Sequence, residues 1–395
     1  MNTKTLERRL AALGCPGAMT AVLLAGSCVQ SLDVEELSMP PVDAGQSGTD
    51  PSLTNVFTAG QVDAHAPDDG EVQAASLSCS SSTTLESLID CISGQMPGHD
   101  SDGFVTPTNT QKADFQTVVR RMLETECDFT LPTSLRTNMA IRTFTDSSNG
   151  RSYCLLMEVT STVIPGVVDK GWGTFITYPN ATREMSHHAP HPKLDTDEPG
   201  SAGDAYTERE AIRIFKLSDS RSYLMAGARR SANLDASSCQ SEYYKSDCAH
   251  NTNNMLFPAN QALNAFYGAS DWIAIQWHAK AEATCNNDAF MSIGFDAGPP
   301  AGSKVLALKS RIQMERPTWV VQTPHTSSCD LNATTNVQGR FLNGVSAKHV
   351  CGTSASTPSH KFMHIEQTVG LIGADLDGVA SSWANAIIAA FPVTP

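Results

Sequence analysis

The chain has 395 residues, with 41 acidic against 27 basic side chains, a formal net charge of −14, 11 histidines and 11 cysteines. That acidic balance gives no support for nucleic-acid binding. Beyond the amino-terminal segment no run approaches the roughly 18 consecutive apolar residues that a membrane-crossing helix needs, so no transmembrane span is expected.

Residues 1–27 read as an export signal. Lys4, Arg8 and Arg9 precede an apolar run from Ala18 to Ala25, and the small residues Gly26 and Ser27 follow. Cys28 stands after Leu24-Ala25-Gly26-Ser27, which approximates the site where bacterial lipoproteins are cleaved and lipidated. Plain cleavage after Ser27 satisfies the same small-residue rule, so two outcomes are open: a lipid anchor at Cys28 or free secretion. Residues 28–78 form the next expected segment, a disordered acidic stalk. Val29 to Ser78 holds nine Asp or Glu and no Lys or Arg among many Ser, Gly, Pro and Ala, too little apolar surface to offset chain entropy. Residues 79–395 are then one folded domain.

In that domain two helices come first, within SSTTLESLIDCISGQM and TQKADFQTVVRRMLETE, the former behind a Ser/Thr cap with Glu86 three places after Thr83. Strand-like runs follow, from Tyr153 to Ile164 and from Gly173 to Pro179. The pattern then alternates: AYTEREAIRIFKL a helix, SYLMAGA a buried strand, NQALNAFYGA a helix, DWIAIQWHA a strand. KVLALKSRIQME reads as a helix, TWVVQTP and KFMHIEQT as strands, and LDGVASSWANAIIAAF as a closing helix. Strands alternating with helices predict an α/β fold, a three-layer sandwich with a mostly parallel or mixed central sheet. The nine cysteines of this domain lack paired CxxC spacing, which favours disulfides over a cysteine zinc site; Cys79–Cys91, Cys239–Cys248 and Cys329–Cys351 are plausible local pairs.

Such sheets gather their chemistry where strands end. Four polar clusters fall there: Ser186 to Pro192 with His187, His188 and His191; Arg229-Arg230 after SYLMAGA; His278 ending IAIQWHA; and Glu366 in FMHIEQT, with His364 on the same strand face by period two. Asp195, Asp204, Glu208 and Glu210 follow the first cluster, and Asp247 and His250 lie between the second and third. Two histidines and a carboxylate with one open position are what a catalytic zinc needs, a further carboxylate serves as proton acceptor, and an arginine offers a fork for a substrate carboxylate. Each element alone has an ordinary structural reading, as a core histidine, an edge-strand glutamate or a solvated arginine pair.

The order of PHP, an acidic helix start, an apolar strand ending in Arg, Asp-x-x-His, an apolar strand ending in His and a late Ile-Glu strand resembles the N-formylglutamate amidohydrolase family, whose relatives share the zinc carboxypeptidase type of sandwich. The resemblance spans about Gly173 to Thr368. It implies that His191 and His278 bind zinc with an acidic third ligand, Asp204 or Glu208 rather than Asp195. It also implies that Arg230, beside Arg229, holds a substrate carboxylate, that His250 joins the substrate pocket, and that Glu366 is the catalytic base. The sequence departs from the family before Arg230, where Ala226-Gly227-Ala228 replaces acidic and Asn residues. The expected function is an exported zinc-dependent hydrolase of an amide bond in a carboxylate-bearing substrate, an acylamino acid or γ-glutamyl compound. A non-catalytic surface binding protein on the same fold, or a metal-dependent esterase or phosphoesterase, are the alternatives.

Overall fold

Two threonines decide where the first helices begin. The Thr84 hydroxyl accepts from the Ser87 N–H while the Ser87 hydroxyl accepts from the Thr84 N–H, and this reciprocal cap opens α1 (Leu85–Gly94). Thr108 and Gln111 repeat the device for α2 (Asn109–Leu123). Both belong to a computed structural model that describes residues 79–162, 166–192 and 205–393. The expected export signal and stalk lie outside the described residues, as do Asp195 and Asp204.

The strands and later helices follow as β1 (Met139–Thr145), β2 (Ser152–Glu158), β3 (Thr174–Thr177), β4 (Arg183–Ala189), α3 (Thr207–Leu217), β5 (Ser220–Met225), α4 (Leu256–Tyr267) and β6 (Ile273–Lys280). They continue with β7 (Ala289–Ser292), α5 (Lys304–Glu315), β8 (Val321–Gln322), α6 (Val337–Leu342), β9 (Phe362–Thr368), α7 (Val369–Ala374) and α8 (Leu376–Ala390). Among the described residues the strands form one nine-stranded sheet, ordered β1-β2-β3-β5-β4-β6-β9-β7-β8. The four central strands β5, β4, β6 and β9 run parallel, while β1, β2 and β3 flank them antiparallel and β7 pairs antiparallel with β9. The fold is therefore α/β with a mixed sheet, parallel at its centre. No helix among the described residues is long and apolar enough to cross a membrane.

Period-two alternation sends successive side chains of each strand into two different cores. Ile273, Ile275 and Trp277 of β6 and Met363 and Ile365 of β9 join residues of α1, α3, α5 and α8. Trp272, Ala274 and Phe362 join residues of α2 and α4 on the opposite face. Continuing the second series along each strand gives Gln276 and His278 on β6, and His364 and Glu366 on β9. Parallel register places Gln276 beside His364 and His278 beside Glu366. One face of the sheet thus turns from apolar to polar toward the carboxyl ends of its central strands.

Topology opens a crevice at the same place. The chain leaving β4 crosses by α3 to β5 on one side, whereas the chain leaving β6 passes beyond β9 to β7 on the other. Neighbouring strands whose connections depart in opposite directions leave a gap between their carboxyl ends, where ligands of such sheets bind.

Several local expectations change. Ser186, His187 and His188 are not a loop after a strand: they lie within β4, at the centre of the sheet, where Ser220 and Trp277 meet the two ring nitrogens of His187 and Ser186 meets His188 Nε2. TWVVQTP contributes only the two-residue β8, and β1, β7 and α6 occupy stretches where no element was expected. Cys79–Cys91 forms as anticipated, but Cys239 bonds Cys351 and Cys329 bonds Cys285, with Cys127–Cys154 as the fourth bridge. Local spacing misled because both re-paired cysteines find partners on distant loops around the crevice. Cys248 is the odd thiol, buried and held protonated, since burial and the neighbouring Asp247 both push its pKa up. Four disulfides among the described residues indicate an oxidising, extracytoplasmic environment.

Candidate metal centre

At the crevice a pocket of about 390 Å³ is walled by His191, Arg230, His250, His278, His364 and Glu366, with Tyr243 and Asn336 at its sides. Each arrives by a different route. His191 lies two residues past the end of β4, His278 near the end of β6, and His364 and Glu366 either side of the midpoint of β9. Their rings form a contiguous series: His191 meets His278 edge to face at 4.9 Å between centroids, and His278 meets His364 at 4.4 Å. His364 Nε2 is 3.4 Å from Glu366 Oε1.

Asp247 organises the other side. Its Oδ1 accepts from His191 Nε2 at 2.9 Å, from His250 Nδ1 at 3.0 Å and from the Ala249 N–H at 3.1 Å. Burial alone would raise the Asp247 carboxyl, but the His250 and His191 rings outweigh it and hold the group well below the usual carboxylate range. A carboxylate accepting from one ring nitrogen fixes the tautomer of His191, with the proton on Nε2. His250 in turn stacks on Tyr243, with centroids 3.6 Å apart and planes 5° from parallel.

Beneath His278 a buried amide network fills the floor. Gln276 Oε1 accepts from Asn336 Nδ2 at 2.7 Å and lies 3.5 Å from His278 Nε2, and Gln338 Nε2 donates to the Cys248 carbonyl at 2.6 Å. One rung above His278, the Lys280 ammonium donates to the Asn287 and Cys285 carbonyls and to Thr368 Oγ1. Thr368 stands opposite Lys280 as Glu366 stands opposite His278. Lys280 therefore ties the loop after β6 to the end of β9.

Among the described residues two groups bring three potential metal-ligand atoms within 4.8 Å of one another: His191, Asp247 and His250, and His278, His364 and Glu366. Nitrogen and carboxylate oxygen donors in a buried setting fit a divalent transition metal such as zinc. Glu208, expected as a third ligand, is buried in the first turn of α3 and belongs to neither group; its backbone carbonyl accepts from the Tyr223 hydroxyl at 3.0 Å. Asp204, its alternative, falls outside the described residues. The two arginines separate: Arg230 lines the pocket, whereas Arg229 is buried beside it, its N–H donating to the Pro97 carbonyl. Gly227 directs this exit from β5, because a Cβ there would fall on the backbone of residues 171–173.

His364, which lines the pocket, and Asp247, which bonds two of its histidines, received no role in the sequence reading. For His364 the signal was its period-two relation to Glu366. For Asp247 it was the Asp-x-x-His turn, in which an aspartate accepts the N–H two residues on.

No family model and no curated protein sequence matches the chain. Among solved structures, gene product Atu2144 from Agrobacterium tumefaciens is similar over 53% of this chain and 88% of its own, at 10% sequence identity and a TM-score of 0.33. A likeness that loose assigns neither family nor chemistry.

Proposed function

We propose that the chain is an exported zinc-dependent hydrolase that cleaves an amide bond in a carboxylate-bearing substrate, an acylamino acid or a γ-glutamyl compound. The supporting observation is convergence: the adjacent parallel strands β4, β6 and β9 deliver His191, His278 and Glu366 to one pocket that also contains Arg230. His191 and His278 would hold the ion together with an acidic third ligand, which Glu208, standing outside both groups, does not supply. What zinc supplies at such a donor set is Lewis acidity, which polarises a carbonyl and lets water be deprotonated near neutral pH.

The chain's own residues do the rest. Glu366 takes the proton of the attacking water on its carboxylate and returns it to the leaving nitrogen. Arg230 presents its fork to the substrate carboxylate and so sets the scissile bond over the histidines. Asp247 holds His191 and His250 in one orientation, His250 standing on the substrate side. Export, with lipid attachment at Cys28 or free release, belongs to the same proposal and is supported by the disulfides.

Protein purified from an oxidising compartment and dialysed should retain close to one zinc ion per chain and hydrolyse N-formylglutamate or a γ-glutamyl peptide. Glu366→Gln should keep the metal and lose about 10² to 10⁴ in kcat with little change in KM. Folded protein that retains no metal would instead favour a binding module, and an unchanged kcat in the variant would remove Glu366 from the mechanism.

A further inference from the structure

We infer that His364 is a positioning residue for the Glu366 carboxylate, so that the proton acceptor of the reaction is a histidine–glutamate pair on one strand rather than a lone glutamate. This rests on the hydrolase reading above.

Three observations converge. The period of β9 puts His364 and Glu366 on the same face, and the His364 Nε2 lies 3.4 Å from Glu366 Oε1. His364 is also packed 4.4 Å from the ring of His278, which in turn stands opposite Glu366 across the β6–β9 ladder. The imidazole is thus enclosed between the candidate ligand and the candidate base, and both His364 and Glu366 are at least nine-tenths buried. A strand residue that had only to fill this space could be apolar, as its neighbours Met363 and Ile365 are on the other face. An imidazole adds a ring nitrogen 3.4 Å from one carboxylate oxygen, able to donate to it in the tautomer protonated on Nε2. Donation to that oxygen stops the carboxylate from rotating and leaves its second oxygen for the proton it must accept. Bonds of this kind are commonly long in the unliganded enzyme and tighten when substrate binds.

His364 also belongs to a group able to ligate a metal with His278 and Glu366, and the experiment must separate that role from positioning. His364→Leu fills the volume without a donor, and His364→Gln keeps an N–H near the position of Nε2. For both, the readouts are zinc content after dialysis, the visible spectrum of the cobalt(II)-substituted protein, and kcat and KM with N-formylglutamate. His364→Leu should keep the metal and the cobalt spectrum, and lose on the order of 10- to 100-fold in kcat, the usual loss for a partner that orients a site group. His364→Gln should recover most of it. In a Glu366→Gln background His364→Leu should cost nothing further, because the two act as one unit.

A lost metal or altered cobalt spectrum in His364→Leu would overturn the proposal by making His364 a ligand. An unchanged kcat in the folded variant, or additive losses in the double variant, would overturn it as well. If active wild type accompanies such a result, the hydrolase reading survives; wild type without metal or turnover removes both.

Discussion

His187 and His188 lie toward the carboxyl end of β4, while His278 and His364 lie on β6 and β9 where one sheet face opens to the pocket. The first pair is closed off by the fold. Trp277 Nε1, which can only donate, gives its hydrogen to His187 Nδ1 at 3.1 Å, so the ring must be the neutral tautomer with its proton on Nε2, 2.9 Å from Ser220 Oγ. His188 Nε2 meets Ser186 Oγ at 2.8 Å, and Ser222 donates to that same hydroxyl. Burial pushes both pKa values down to about 3, with the neighbouring His188 adding to the effect at His187. The second pair has ring neighbours and a carboxylate, and faces about 390 Å³ of open space. Residue type is the same in the two pairs, and His188 even stands level with Gln276 and His364 across the ladders. What differs is the strand that carries the ring and the partners it meets: hydroxyls and an indole at β4, other imidazoles, a carboxylate and the pocket at β6 and β9.

The largest expected separation between the two sets is in metal binding. On the proposed reading His278→Ala should abolish zinc retention and activity together, since it would remove one of three protein ligands. His187→Ala should keep both and lose about 1 to 3 kcal/mol of stability, because the Trp277 N–H is left unsatisfied in the core. Full metal occupancy in the first variant, measured after dialysis, would erase the distinction.

A second contrast lies in the arginine pair. Arg230→Met should raise KM for a carboxylate substrate about 10- to 100-fold, the worth of a charge-assisted bond, with the fold intact. Arg229→Met should act on melting temperature instead. Equal effects on KM would show that the pocket wall does not discriminate between the two.

The smallest effect is a slope. Because the unfolded chain takes up protons at the β4 histidines near pH 6.5 and the folded chain only near 3, their contribution to stability is complete above pH 6.5 and is lost as pH falls toward 3. Urea midpoints between pH 7 and 4.5 should decline less steeply for His188→Gln than for wild type. Parallel slopes would mean that the ring is not held neutral in the fold.

These differences explain what could be read from the sequence. The boundaries of α5 and the start of α8 coincide with their apolar windows, and β6 and β9 announce themselves as apolar runs. His191, His278, Glu366 and Arg230 stood out as polar residues at the ends of such runs, and they do line one pocket. β4 was illegible because Arg-Glu-Met-Ser-His-His-Ala has no hydrophobic alternation; its burial depends on hydroxyl and indole partners that come from β5 and β6. Nothing local shows that one oxygen of Asp247 joins two imidazoles, since His191 is 56 residues away. The same holds for Cys239 and Cys351, separated by 112 positions.

The place of β9 in the sheet has a consequence for biosynthesis. Among the described residues it is the last strand to be made, yet it sits between β6 and β7, and there the β7–β8 ribbon joins the rest of the sheet only through it. Until the ribosome has passed residue 368, a nascent chain carries an uncovered β6 edge and two later strands with nowhere to dock. Such edges invite pairing with other chains. A protein assembled in this order depends on being held unfolded while it is being made, and a carboxyl-terminal truncation opens the middle of its sheet instead of fraying an end.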